Sequence, residues 1–567
     1  MTQEKLPEKN TPEKNTLAEK KYLDNYKKFT KKAPERKDEF KTESGIPLKP
    51  LYTAKDLEES GNNQEIGYPG QYPYTRGIFP TMYRSRIWTK RFLIGQQSPE
   101  LFNERQKSMI ESGQTGISFI PCCNTAMRGY DSDAIPKETV GRCGSTIDSL
   151  LDAQIAFDGI SLEKVSTAFN DGNPCICAAL YFALAKKQGI PLHKINGTSN
   201  QADSMSHWIS LHQLILLPLE AHIKCLVDHI KFCTKYVPKY HPLSIIGQHM
   251  AEQGATPVQE IAFSIANGIY YIEKLIDSGL DVDAFAPRLS FFFSVQNDFF
   301  ESIAKFRAAR RIWAKIVKER FGAKNPASWQ LRVHCQTTGV ALTRQQPLNN
   351  IARTAFHTLA AALGGTQSLH TDSFDEPLWS PTAEAQRIAI NINNIIAEET
   401  GVANVIDPLG GSYFVETLTN EVETKILQII SKVDELGGMM EAIKKGFPQT
   451  EILHSAVTHQ RNVDTKESTV VGLNKYIIQE DEDQEPPQAT INEALIDKQI
   501  SRTQKLRKER NQQKAKTALD NLRGAAETGH GNIFELLIEG ALAYLTRGEM
   551  VGVLRDVYGF GMPSSFQ

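Results

Sequence analysis

The chain has no charge imbalance. Its 567 residues carry 64 Lys and Arg against 66 Asp and Glu, a formal net charge of −2, so no overall field draws it to nucleic acid or an anionic membrane. An anionic ligand has to be held by a local cluster of cations. No apolar run approaches the roughly 20 residues that span a bilayer, and the opening MTQEKLPEKNTPEKNTLAEKK lacks the apolar stretch of a secretory signal. A cytoplasmic protein is expected. The eight cysteines include C-C and C-x-C spacings but no C-x-x-C, which argues against a zinc site, a metal pair or a dithiol motif and leaves buried reduced thiols as the expected state. There is no Gly-rich phosphate loop and no Ser-His-Asp order, so simple phosphoryl transfer and triad hydrolysis are disfavoured.

Residues 1–70 are rich in Lys, Glu, Pro and Asn with little apolar periodicity, and read as an N-terminal arm. From 71 to 415 short apolar runs alternate with helix-like stretches: GISFI from 116, KVSTAF from 164, KINGTS from 194, LSIIG from 243, RLSFFF from 288, LRVHCQ from 331, TQSLHT from 366 and ANVID from 403. Each interval has room for a strand, a loop and a helix, as a parallel crossover requires. Eight such runs predict an α/β fold, a (β/α)8 TIM barrel. In ESIAKFRAARRIWAKIVKERFG, Ile303, Phe306, Trp313, Ile316 and Val317 recur on one helix face and Lys and Arg fill the other. Residues 416–475 read as a helical extension, and 476–567 as a charged linker, EDEDQEPPQ, followed by C-terminal helices. The basic stretch DKQISRTQKLRKERNQQKAKTALDNL has no interleaved aromatic residue and reads as a solvated face rather than a nucleic-acid site. The block NIFELLIEGALAYLTRGEMVGVLRDVYG is apolar enough to pack on the barrel or on a partner.

In such barrels the chemistry sits at the carboxyl ends of the strands. Here those positions carry Gln248 and His249, His334 and Gln336, then Gln367, His370, Asp372 and Glu376, with Asn170, Asp171, Asn200, Gln201 and Asp407 after other runs. One polar residue at a strand end is most often a cap. Histidines, amides and acids converging from several strands read instead as a binding site, suited to carbonyl and amide groups.

Longer strings then identify a family. RGIFPTMYRSRIWTKR, RGYDSD, GQHMAEQGAT, FAPRLSFFF, LRVHCQTTG, GTQSLHTDSFDE and VIDPLGGSYFVE occur in order, and together they resemble the large, substrate-binding chain of the adenosylcobalamin-dependent acyl-CoA mutases. KKAPERKDEF and QISRTQKLRKER are most similar to the 2-hydroxyisobutyryl-CoA type. The resemblance implies a radical 1,2-rearrangement of a short acyl-CoA inside a closed barrel, with the cofactor supplying the difficult chemistry. It implies that His249 bonds the thioester carbonyl, with Gln248 and Gln201 beside it. Phe79, Met82, Arg86, Thr89, Arg91, Leu93, Arg288, Ser290, Gln336 and Gln367 would face coenzyme A or the acyl group. Gly95, Glu252, His334, Gly339, Asp372 and Glu376 would lie toward adenosylcobalamin. The cobalamin-domain signature D-x-H-x-x-G is absent from the sequence, so the resemblance implies a separate cobalamin-binding small subunit and a heterotetramer.

Several positions depart from the family. Leu93 stands where relatives carry Tyr, Phe or Ile, and no arginine falls near Leu211 or His212, where a free substrate carboxylate would be bound; a non-dicarboxylic acyl group is expected. An aromatic-histidine pair is replaced by Gln248-His249. Either Asn200 or Gln201 takes the place of the family glutamine. The D-x-P-T pattern is lost in IPCCNT, where Ile120 also replaces an aspartate of the hydroxyisobutyryl type. Cys122 and Cys123 are therefore expected to be pocket-wall residues at the carboxyl end of the first strand, without a redox or metal role. Two readings follow: a mutase with altered substrate choice, or a catalytically impaired relative that binds acyl-CoA or the small subunit as an assembly or regulatory protein.

Overall fold

The computed structural model describes residues 12–35, 37–60, 66–212, 217–478 and 491–561, with side chains from residue 20 onward. The predicted linker EDEDQEPPQ lies outside the described residues. Nine strands, β1 Thr89–Ile94, β2 Gly116–Phe119, β3 Ser166–Phe169, β4 Asn196–Ser199, β5 Tyr240–His241, β6 Leu243–Ile246, β7 Leu289–Val295, β8 Val333–Thr337 and β9 Ser368–His370, form one sheet in the order β5-β4-β3-β2-β1-β9-β8-β7-β6. Every pairing is parallel. The two edge strands are consecutive pieces of a single stave, separated only by Pro242. A proline there has no N–H to give to a ladder, so β5 pairs with β4 while β6 pairs with β7, and the sheet closes into a TIM barrel.

The helices between strands begin where the sequence provides caps. Ser98 accepts the Leu101 N–H ahead of Pro99, and Thr256 with Gln259 forms a capping box ahead of Pro257. The barrel differs from its sequence reading at one stave: ANVID is a turn, and the strand unread in the sequence is TKRFLI, now β1. Asp407, at the end of ANVID, takes Arg76 at 2.8 Å and Arg307 at 2.6 Å instead of closing a strand.

The charged face of the helix Phe299–Lys315 is buried, because a second helix, Tyr413–Glu435, covers it. Arg307 pairs with Glu416, and Arg311 with Glu423. Lys305 pairs with Glu260 where both side chains are fully buried. The C-terminal helices Glu493–Glu509, Gln512–Thr528, Ile533–Leu542 and Arg547–Tyr558 cover the barrel's outer helices, with Phe534 stacked 4.0 Å from His229 and edge-to-face with Phe182 at 5.9 Å. The basic stretch is thus only partly solvated: Arg502 and Arg507 turn onto barrel carboxylates, at 2.9 Å from Asp152 and 2.6 Å from Asp131. The described residues up to Leu51 form a unit of their own, with a helix over Pro12–Thr30 and an antiparallel bridge between Lys41 and Pro47. Among the described residues no helix is long and apolar enough to cross a membrane.

Candidate active site

A TIM barrel is ordinarily filled by layers of branched aliphatic side chains. This one holds a cavity of about 490 Å³, within the range of sites that bury a small molecule. Thr89, Ser166, Asn196, Val333 and Ser368, the first residues of their strands, line it, and so does Asn200, just past the end of β4. The cavity therefore opens at the amino ends of the strands and reaches the carboxyl end of the barrel beside β4, at Asn200. Small hydroxyl side chains, Thr198, Ser244 and Ser290 among them, leave the space that Val or Leu would fill. At the amino end the segment Phe79–Trp88 forms part of the wall, bringing Met82 and Arg86 to it. Arg91 and Arg332 supply further guanidinium groups. Burial pulls both down to about 10, still charged at neutral pH.

Beyond the carboxyl ends sits His249, in the short helix Gln248–Glu252 that follows β6. Its Nε2 lies 3.3 Å from Gln201 Nε2. An amide nitrogen donates, so Nε2 accepts and the imidazole hydrogen sits on Nδ1, which is buried with no partner. A buried donor without an acceptor is a costly feature that a ligand carbonyl would satisfy. His212 packs on His249 at 4.1 Å between ring centroids and His207 at 4.8 Å. Burial, followed by the neighbouring imidazoles, holds His249 well below its ordinary value; burial takes His212 down to about 3 and also lowers His207. His249 and His212 are therefore neutral at physiological pH. Their ligating atoms lie within 4.8 Å of one another, close enough to share a metal ion, though no metal was expected from the sequence. His207 is the least suited to that, since its Nδ1 and Nε2 face the carbonyl oxygens of His212 and Gln201 at 2.5 and 3.0 Å.

A second group at the carboxyl end is made of acids. Glu252 accepts the N–H of Gly339 and of Val340, each at 3.1 Å, and the Gln248 amide at 3.1 Å. Gln336 donates to Asp372 at 3.1 Å, and His370 Nε2 reaches the same carboxylate oxygen at 3.0 Å. Leu93 N–H donates to Nδ1 of His370 at 3.2 Å, which fixes the hydrogen on Nε2. Burial first, then mutual repulsion, raises these carboxyls: Glu252 to about 7 and Glu376 to about 8, while burial takes Asp372 to about 8. The site thus contains carboxyl groups able to donate hydrogen bonds at neutral pH.

Of the expected coenzyme-facing residues, Phe79, Met82, Arg86, Thr89, Arg91, Ser290 and Gln367 line the cavity, and so does His334. Arg288 precedes β7 and gives its carbonyl to His241 at 3.0 Å; Arg332 is the arginine on that side of the wall. Gln367 also has a structural task, accepting Val333 N–H and donating to the Gly365 carbonyl, both at 2.9 Å. Asn200 donates to Asn170 at 2.8 Å and belongs to the cavity, whereas Gln201 belongs to His249. Gly95 packs on backbone: a Cβ there would stand 2.7 Å from Gly144 Cα. Cys122 and Cys123 follow β2, not the first strand, and only Cys122 is buried. Sequence reasoning missed Arg332, His207 and the hydroxyl lining; the recurrence of Ser and Thr inside strand runs was the available signal.

Residues 41–560 match the family model described as methylmalonyl-CoA mutase. The chain is 43% identical over 533 residues to the 2-hydroxyisobutanoyl-CoA mutase large subunit of Aquincola tertiaricarbonis, covering 94% of each chain. It is 40% identical over 520 residues to the mitochondrial methylmalonyl-CoA mutase of Homo sapiens, covering 91% of this chain and 68% of that one. It is 41% identical over 520 residues to the methylmalonyl-CoA mutase of Rhizobium meliloti (strain 1021), covering 91% and 72%.

Proposed function

Because the chain belongs to the methylmalonyl-CoA mutase family and is an isomerase of that class, we propose that it is the substrate-binding large subunit of a cobalamin-dependent acyl-CoA mutase acting on a short, non-dicarboxylic acyl-CoA. The observation that carries this reading is a hydroxyl-lined barrel cavity that reaches Asn200, next in sequence to the Gln201 whose amide meets His249, together with the unpartnered Nδ1–H of that imidazole. The pantetheine arm would occupy the cavity. Arg86 and Arg332 would meet the coenzyme's phosphates, for which guanidinium groups are well shaped. At the other end the thioester carbonyl would satisfy His249, held by Gln201 and by the packed His212 ring. A neutral imidazole polarises a carbonyl without giving up its proton. His212 is neutral where a cation would be needed for a second carboxylate, and burying that carboxylate unpaired would be costly.

The residues at the carboxyl end are compatible with a cofactor there. Asp372 Oδ2 is buried without a partner. Gly339 has Glu376 and Glu252 as the nearest atoms to its missing Cβ, at 3.7 and 4.0 Å, and Val340 beside it is an exposed apolar side chain. Glu376, Glu252, Asp372 and Gly339 would hold adenosylcobalamin. When bound, that group would supply the radical that starts the rearrangement. The chain's own residues bind the acyl-CoA, orient its carbonyl and exclude water. A separate small subunit would hold the cobalt, and a heterotetramer is the assembly this reading favours.

The test is reconstitution of the full chain with adenosylcobalamin and a small subunit bearing D-x-H-x-x-G, followed by chromatography of branched, linear and hydroxylated acyl-CoA substrates. Interconversion of one acyl-CoA into its carbon-skeleton isomer is expected. Binding of acyl-CoA without interconversion of any would overturn the enzymatic reading and favour the assembly role.

A further inference from the structure

The loop that leaves β2 folds back on itself so that two stretches run side by side. Pro121 and Ser145 form a parallel bridge, Cys122 N–H donates to the Ser145 carbonyl at 2.8 Å, and Cys123 N–H donates to the Cys143 carbonyl at 2.9 Å. Gly144, at φ +111°, keeps the two backbones this close, because a Cβ there would run into the Pro121 carbonyl. This register makes Cys123 and Cys143 neighbours, and their sulfur atoms lie 2.6 Å apart. That is well inside the separation of two unbonded sulfur atoms. Cys143 is exposed and Cys123 half-buried, whereas Cys122 is buried, with its sulfur accepting Gly141 N–H at 3.3 Å.

We propose that Cys123 and Cys143 are a reversible oxidation site, converted to a disulfide by a peroxide and returned to thiols by a dithiol reductant. The hydrogen bond from Cys123 pulls Cys143 down to about 7, so its thiolate is the attacking group. The thiolate sulfur attacks one peroxide oxygen, the O–O bond breaks, and the leaving oxygen departs as water after taking a proton. Cys143 is then a sulfenic acid. The Cys123 sulfur attacks it, the S–O bond breaks, and the second oxygen leaves as water with the Cys123 proton. Two electrons pass from the two sulfurs to hydrogen peroxide. The disulfide would join the end of β2 to the arm whose Arg142 and Lys137 bind Glu493 and Asp497 of the C-terminal region, at 2.8 and 2.6 Å, and so stiffen the wall beside the barrel mouth. This inference is independent of the proposed mutase activity.

The full chain, reduced and then freed of reductant, is exposed to hydrogen peroxide and digested without reduction. Titration of the denatured protein is expected to fall from eight free thiols by two, with a linked peptide joining Cys123 to Cys143 that dithiothreitol releases. Cys122→Ser should keep the link. Cys143→Ser, at an exposed position, leaves the fold intact and should lose it, with Cys123 and the other thiols still titrating. Loss of no thiol, a link through Cys122, or a link only between two chains would overturn the proposal, and an unchanged melting temperature of each variant shows that the fold is not the cause.

Discussion

Glu376 has its carboxyl raised to about 8 from an ordinary value of 4.5, first by burial and then by repulsion from Asp372. The folded chain therefore holds a proton that the unfolded chain releases. The stabilisation is complete below about 4.5 and is lost as pH rises through about 8, with a slope of at most about 1.4 kcal/mol per pH unit for one such carboxyl. The melting temperature of the isolated chain should decline across that window, and Glu376→Gln should flatten part of the decline; a variant with the full slope would assign the titration elsewhere. His249 makes a different prediction. Its orphan Nδ1–H is argued to act on the thioester carbonyl, so His249→Ala should lower kcat of the reconstituted enzyme by about 10² to 10³-fold, the usual loss of one polarising donor. A change confined to KM would place the residue in binding alone.

At the scale of elements, the channel explains both what was legible in the sequence and what was not. Seven of the eight apolar runs fell on strands, because parallel strands covered by helices read as short apolar segments. TKRFLI was passed over since Lys90 and Arg91 interrupt its apolar pattern, yet Arg91 faces a polar channel and bonds Ser166 at 2.7 Å. ANVID has β-branched residues but ends in Asp407, whose two arginine partners come from residues 76 and 307, distant in sequence and invisible to a local pattern. Family strings brought out His249 and Gln201, whereas the His212 contact depends on how the chain turns after the helix Ser204–Ser210 and had no local signal. The hydroxyl lining suggests a direct test. Thr198→Leu adds apolar bulk to open space, so it should change stability by no more than about 1 kcal/mol while weakening acyl-CoA binding by roughly tenfold or more. Calorimetric titration with acyl-CoA, beside a urea melt, measures both. Unchanged affinity would mean that the ligand does not pass through β4's side of the barrel.

Across the whole molecule, the loop after β2 is organised by the C-terminal helices, which are remote from it in sequence. Asp131 accepts Thr546 Oγ1 at 2.6 Å and Gly548 N–H at 2.7 Å, besides Arg507, while Asp148 accepts Gln499 at 3.1 Å and Thr503 at 2.7 Å. At the centre is Arg547, fully buried, which donates to the carbonyls of Ala126 at 2.9 Å and Ile147 at 3.3 Å and lies 3.8 Å from Asp171. Burial raises the Asp171 carboxyl, and the Arg547 charge is the largest effect opposing it. Arg547→Met keeps much of the side chain's length but leaves Asp171 in the interior without its cation and two carbonyls without their donor. Breaking one partner of a buried pair costs about 3 to 5 kcal/mol, so urea denaturation should show that loss with an unchanged m-value. Asp171→Asn in the Arg547→Met background should restore part of it, since the uncompensated charge is then gone. A loss below about 1 kcal/mol would mean that the C-terminal helices cover the barrel without anchoring the loop.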